Sequence, residues 1–199
     1  SYNDTLTGNA VANKIEGGVG DDFLVGMGGG DTLDGGAGVD TVSYAWLIAG
    51  GGVNVDLSAS GVNATLPDGP NDTLTNIENL IGSRNNDTLR GDISANRLEG
   101  GQGNDTLEGG GGADQLIGGE GRDTASYEHA GSAVGVSLTT GLVGFTASGE
   151  ALGDTFDSIE DLIGSNHADQ LIGNAEDNSI AGGVGNDTLE GMGGADTLA

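Results

Sequence analysis

Fourteen acid or amide side chains stand on a nine-residue beat, each two residues ahead of an aliphatic residue or alanine. They are Asp4, Asn13, Asp22, Asp31 and Asp40; then Asp87, Asn96, Asp105, Asp114 and Asp123; then Asp169, Asn178, Asp187 and Asp196. Glycine loops precede the clearest of them, as in Gly100-Gly101-Gln102-Gly103-Asn104-Asp105, so the unit reads G-G-x-G-x-D-x-U-x with U aliphatic. Glycine tolerates the positive φ and the close backbone approach that so short a reversal needs. Carboxylates beside glycine-turned backbone carbonyls form an all-oxygen donor set, which is the chemistry of hard-cation binding. Zinc is disfavoured, because Cys is absent and the two histidines, His129 and His167, are isolated. One copy could be ordinary turn chemistry, since Asp and Gly dominate turns. Fourteen in register are not.

The elements that must hold these groups are short strands. Each x-U-x is a strand whose central side chain points inward, and Leu24, Leu33, Val42, Leu98, Leu107, Leu116, Ala125, Leu171, Ile180, Leu189 and Leu198 make up the inward row. Helix is disfavoured, because glycine at this density costs about 1 kcal/mol per residue relative to alanine. Matching positions reveal a longer period: Asp22 to Asp105 is 83 residues and Asp105 to Asp187 is 82. The Asn member, at Asn13, Asn96 and Asn178, keeps the same slot in every block, which argues for duplication of whole blocks.

The chain divides into repeat blocks at 1–43, 82–126 and 164–199, separated by inserts at 44–81 and 127–163. The inserts match one another: Ile77-Glu78-Asn79-Leu80-Ile81-Gly82-Ser83 corresponds to Ile159-Glu160-Asp161-Leu162-Ile163-Gly164-Ser165. Asp72-Thr73-Leu74 and Asp154-Thr155-Phe156 read as tails of repeats whose glycine loops have degenerated. The inserts are therefore expected to be wider coils of one solenoid, with an irregular excursion on its side as the alternative. The chain starts and stops within repeats, as a piece of a longer array would.

These motifs resemble the RTX (repeats-in-toxin) family of hemolysin-type calcium-binding repeats, and the alternation of blocks and inserts resembles the RTX region of adenylate-cyclase-type toxins. The resemblance implies an all-β fold, a right-handed parallel β-roll (β-solenoid). In it two nonapeptides make one turn, repeat n stacks on repeat n+2, and a loop column flanks each of two parallel sheets. Stacked loops would bring aspartates to about 4.8 Å, where only a cation between them reverses their repulsion. Ca²⁺ accepts 6–8 oxygens, whereas Mg²⁺ demands compact octahedral geometry. The expected sites pair Asp22 with Asp40, Asp105 with Asp123, and Asp187 with Asp169. Glycines 18, 20, 35, 38, 101, 103, 118, 121, 183 and 185 (Gly18, Gly20, Gly35, Gly38, Gly101, Gly103, Gly118, Gly121, Gly183, Gly185) shape their loops. On the other column Asp31 faces Asn13, Asp114 faces Asn96 and Asp196 faces Asn178. An Asn adds no charge, so these sites should be weaker. Asp4 and Asp87 head degenerate loops that would stack on Asp22 and Asp105. Roughly 5–8 ions are expected. Asp105→Ala should weaken two sites and Asp114→Ala should do less.

Charge agrees with this chemistry. Asp and Glu number 31 against 5 Lys and Arg, for a net charge of −26 on 199 residues. Such a chain repels itself until cations intervene. It is a poor partner for nucleic acid or an anionic membrane surface. No apolar run reaches membrane-spanning length. No G-x-S-x-G, H-E-x-x-H or Walker motif is present, so an enzyme is not expected. A calcium-binding module of a secreted bacterial protein, exported by type I secretion and folded outside the cell, is what the resemblance implies. A calcium-dependent surface adhesin or S-layer extender, and the carrier region of a toxin or enzyme, stay open beside it. Trp46, the only tryptophan, leaves a polysaccharide contact as the weakest option.

Overall fold

The computed structural model describes residues 2–199 except 49, 60, 62, 68 and 140–145. Strands of two to six residues alternate with loops, and the helical content of the described residues is one 3₁₀ turn at Gly149–Ala151. The strands pair in parallel at a spacing of 18 residues, as in Thr5↔Phe23, Phe23↔Thr41, Lys14↔Thr32, Arg97↔Gln115 and Thr106↔Thr124. Repeat n therefore lies on repeat n+2, and the fold is an all-β parallel β-roll.

Register follows from the inward row. Leu24, Leu33, Val42, Leu98, Leu107, Leu116, Ala125, Leu171 and Ile180 have no exposed surface, while the threonines before them sit at the rim, where β-branched side chains suit a strand. The row is a single stripe one residue wide. The nine-residue unit spends six residues on its loop and has room for little more than one inward side chain per strand.

Two sheets were expected, and the described residues form four. The inserts cause the difference. At the first insert the strand Thr41–Ser43 is continued by Asn79–Ile81, so its sheet runs on without a break. On the opposite side Thr73–Thr75 lies on Thr32–Ala37 and ends that sheet. Asn54–Asp56 then opens a new sheet, on which Thr88–Arg90 stacks. The second insert repeats the exchange with the sides swapped. Thr124–Ser126 passes to Asp161–Ile163, Thr155–Asp157 ends the sheet begun at Thr5, and Gly135–Ser137 opens another under Gln170–Ile172. The sides swap because the second block holds five repeats, an odd number, which places its last strand on the other column.

Each insert therefore does two things: residues 72–81 and 154–163 keep one column going, and residues 53–57 and 134–138 start a new one. A new sheet begins with an open edge, which would invite pairing with another chain. At the first insert Ala64–Thr65 covers that edge as an antiparallel strand on Asn54–Asp56. An antiparallel bridge from Ser148 to Gly135 does so at the second.

Candidate metal centre

The repeat carboxylates form ladders along the loop columns. In each, one oxygen accepts the backbone N–H of the equivalent residue one coil earlier. Asp40 Oδ1 takes the Asp22 amide at 2.7 Å and Asp22 Oδ1 takes that of Asp4 at 2.8 Å. Asp123 takes Asp105 at 2.8 Å, Asp105 takes Asp87 at 2.7 Å, and Asp187 takes Asp169 at 3.0 Å. On the other column Asp31, Asp114 and Asp196 take the amides of Asn13, Asn96 and Asn178. All the neighbours expected at 18 residues are thus brought together.

The second carboxylate oxygen divides these groups. Oδ2 of Asp22, Asp31, Asp40, Asp105, Asp114 and Asp123 is buried and has no hydrogen-bond donor. A buried oxygen left this way costs about 1–3 kcal/mol, more when charged. The loops ahead of these six carry Gly or Met at their second position with φ in the left-handed region, for example +105° at Gly18 and +113° at Gly101.

Five other loops are built differently. Their second residue is Asn9, Ser83, Asp92, Ser165 or Asn174, and its amide donates straight to the side chain that ends the loop: Asn13, Asp87, Asn96, Asp169 or Asn178. Ser83 and Ser165 add their hydroxyls to the same carboxylates, at 2.8 and 2.9 Å. Val53 and Val134 donate their amides to Asp87 and Asp169 as well. These carboxylates are satisfied by the protein. Asp169 and Asp87 are therefore unlike Asp22 and Asp105, although all four are aspartates at the same place in the repeat. Asp187 and Asp196 are only half-buried, and Asp4 is exposed.

Glycine at the loop start is required by crowding. A Cβ on Gly100 would collide with Asp105 Oδ2 and stand 2.7 Å from the Gly118 carbonyl oxygen of the next coil. Gly17 is placed likewise between Asp22 Oδ2 and the Gly35 carbonyl oxygen, the latter 2.6 Å from its would-be Cβ. Between the loops 17–22 and 35–40, then, Asp22 Oδ2 and the Gly35 carbonyl oxygen lie against the same glycine, and Asp40 Oδ1 accepts the Asp22 amide beside them. Asp105 Oδ2, the Gly118 carbonyl and Asp123 Oδ1 repeat the set. Gly38 and Gly121 pass directly over the Gly20 and Gly103 carbonyls, and Gly185 over that of His167. Gly183 adopts φ +88° over the Ser165 carbonyl. Among the described residues no three His, Cys, Asp or Glu side chains converge on one point. Two carboxylates with backbone carbonyls suit calcium, and the donorless Oδ2 atoms fit a cation in that place.

Burial sets the electrostatics. It raises the carboxyl pKa of Asp105 and of Asp114 to about 7, with neighbouring acids adding to the shift. Asp31, Asp40, Asp87 and Asp123 are raised for the same first reason. Stacked acids in a water-poor column resist ionisation unless positive charge joins them.

Four acids outside the fourteen belong to the ladders. Asp72 Oδ1 takes the Asp31 amide at 2.7 Å, and Asp154 Oδ1 takes that of Asp114 at 2.9 Å. Glu78 and Glu160 take the amides of Asp40 and Asp123, both at 2.8 Å. Asp114 therefore has an acid on its far side, and the milder effect expected of Asp114→Ala no longer follows from Asn96 alone. The signal for these four was present: each stands two residues ahead of an inward Leu or Phe, at Leu74, Leu80, Phe156 and Leu162. It marked Asp72 and Asp154 as repeat tails, while at Glu78 and Glu160 the glutamate and the missing glycine loop concealed it.

Asp72 and Asp154 end their columns under a phenol. Tyr44 and Tyr127, both 1 % exposed, donate their hydroxyls to Asp72 Oδ2 at 3.1 Å and Asp154 Oδ2 at 2.7 Å. Burial raises the Asp72 pKa to about 6. Tyr127→Phe should lower stability by about 1–3 kcal/mol by leaving a buried carboxylate oxygen without a donor. Tyr44→Phe should cost less, given its longer bond. Chemical denaturation in saturating calcium measures both, and equal stability of all three proteins would show that the phenols only fill space.

Trp46 packs half-buried on the core beside an apolar groove of about 500 Å³ lined by Val11, Leu47, Leu66 and Pro70. No helix among the described residues is long and apolar enough to cross a membrane.

Comparison with known proteins places this geometry. A comparison with curated proteins returns no match. The family model described as the RTX calcium-binding nonapeptide repeat matches in four copies, at residues 7–42, 72–107, 90–125 and 163–198, which together span more than half of the chain. The second copy begins within the first insert, at residue 72, and the fourth at residue 163, the last residue of the second insert. The chain belongs to the RTX calcium-binding nonapeptide repeat family.

Proposed function

We propose that this chain is a calcium-driven folding module of a secreted bacterial protein, without catalytic activity of its own. The observation that carries this reading is the set of buried, donorless Oδ2 atoms at Asp22, Asp40, Asp105 and Asp123, each facing a carbonyl of the next coil. Asp22 with Asp40 and Asp105 with Asp123 would hold ions, helped by the Gly35 and Gly118 carbonyls. Bound calcium supplies the positive charge that lets stacked carboxylates stay ionised.

Everything else is the work of the chain. The inward leucines hold the strands in register, the ladder amides orient each carboxylate, and the five self-satisfied loops hold their coils without an ion. With 31 acidic residues and a net charge of −26, the ion-free chain is kept expanded by its own repulsion. Extracellular calcium modules bind at about 10⁻⁴–10⁻³ M. Such an affinity leaves the chain unfolded at low cytosolic calcium, competent for type I export, and folds it outside.

Far-UV circular dichroism from a chelated start tests this. A cooperative coil-to-β transition with Ca²⁺ and none with Mg²⁺ is expected; full β content under chelation would overturn the reading. A second reading is a repetitive extender of a surface adhesin or S-layer. It is favoured by the sheet exchange, which both inserts perform with the same pairings, so that the 82- to 83-residue unit can be iterated without limit. Many further copies in the parent protein would decide for it, and an adjoining catalytic domain for a toxin or enzyme carrier.

A further inference from the structure

We propose two additional calcium sites at the block–insert junctions, one between Asp40 and Glu78 and one between Asp123 and Glu160. The proposal rests on the calcium reading above and extends it to residues outside the glycine loops.

The oxygen set described between the loops 17–22 and 35–40 has three members: a donorless Oδ2 below, a carbonyl above, and a ladder carboxylate above. The first junction rebuilds this set from unrelated sequence. Asp40 is fully buried and its Oδ2 has no donor. A Cβ on Gly35 would stand 2.6 Å from that oxygen and would collide with the Asn76 carbonyl of the next coil. Glu78 Oε2 takes the Asp40 amide at 2.8 Å, the bond an aspartate makes elsewhere in the ladder. The second junction is the same. Asp123 is fully buried with a donorless Oδ2, a Cβ on Gly118 would collide with that oxygen and with the Ser158 carbonyl, and Glu160 Oε2 takes the Asp123 amide at 2.8 Å.

Backbone conformation supports the assignment. Asn76 and Ser158 are two of only four non-glycine residues in the left-handed region among the described residues, at φ 52° and 54°. That conformation is disfavoured for residues with a side chain. Here it coincides with a carbonyl standing over the glycine of the coil below, where Gly35 and Gly118 stand in the full repeats. The chain runs only six residues from Asp72 to Glu78 and from Asp154 to Glu160, instead of nine. The extra methylene of glutamate lets a carboxylate reach the ladder from this shorter loop.

The two column ends across the roll provide the contrast. Asp31 and Asp114 also carry donorless Oδ2 atoms, yet the atoms nearest a Cβ on Gly26 or Gly109 belong to those side chains and not to a carbonyl of the next coil, and Asp72 and Asp154 have their second oxygens tied to Tyr44 and Tyr127. Those columns stop at a phenol. The columns ending in Glu continue through the insert, and an ion there would fasten the insert to the block before it.

The test is equilibrium dialysis with Ca²⁺ alone on the whole chain, compared with Glu78→Gln, Glu160→Gln and the double variant, alongside the calcium midpoint by circular dichroism. Gln keeps one oxygen to accept the ladder amide, removes the charge and replaces the second carboxylate oxygen by an NH2 group that cannot ligate calcium. Each single variant should bind one ion fewer than wild type, the double variant two fewer, with midpoints moved to higher calcium. Variants that keep the wild-type count and midpoint would overturn the junction sites while leaving the calcium reading intact. A wild-type chain that neither binds nor folds with calcium would overturn both. The junctions lie in separate inserts, so a variant that fails to fold at one is read at the other.

Discussion

Stripped of calcium, the chain should gain β structure as the pH falls from about 8 to about 5. Burial raises Asp105 and Asp114 to about 7 and Asp72 to about 6, from 3.8. A carboxyl whose folded pKa lies above its unfolded value binds its proton more tightly when folded. Its contribution is fully present below the unfolded value and is lost as the pH rises through the folded one. The window therefore runs from about 7 down to about 4, with stability increasing toward acid. This is opposite to the acid denaturation of a protein held by ionised salt bridges. Protons and calcium answer the same problem, the repulsion and desolvation of stacked carboxylates, and so compete. Circular dichroism in chelator at pH 8 and pH 5, with sedimentation velocity to confirm a monomer, provides the measurement. Working at pH 5 keeps the chain above its isoelectric point of about 4.1. A chelated chain that is equally unstructured at both pH values would show that acid repulsion is not what holds the roll open.

Leu107→Ala should be the most damaging single change in the inward row. Leu107 has no exposed surface and lies in register between Leu89 and Ala125. Truncating a buried leucine costs about 2–5 kcal/mol, more where the site cannot collapse. Ala125, on the next coil, already offers only a methyl group, and the ladder amides at Asp105 and Asp123 hold the coils apart, so the gap stays open. If about five ions are taken up in one transition, this loss raises the calcium midpoint roughly two- to five-fold. The control is Ile93→Ala, an 89 % exposed position, which should change stability by no more than about 0.5 kcal/mol. A Leu107→Ala midpoint matching that control would mean the roll is held by its ions and not by its core.

Much of this protein is local enough to be read from the chain alone. The nine-residue period, the inward row from Leu24 to Ile180 and the oxygen donor set all follow from a pattern that restates itself every few residues, while the pairing of Asp22 with Asp40 or Asp105 with Asp123 came from the family resemblance. The match between the inserts was equally visible. What each insert does was not: Asn54–Asp56 and Thr73–Thr75 have similar strand patterns, yet one opens a sheet and the other closes one. That choice depends on which coil the chain meets on its return, a pairing 34 to 41 residues away that no local preference encodes. The same is true of the carboxylates. Asp87 and Asp105 hold the same place in the repeat, but the Ser83 amide donates to Oδ2 of one and nothing donates to Oδ2 of the other. Whether an aspartate is a ready ligand or a closed hydrogen-bond acceptor is settled by the backbone beside it and by the coil above. Sequence determined which atoms could bind an ion, and tertiary stacking decided which of them are left without another partner.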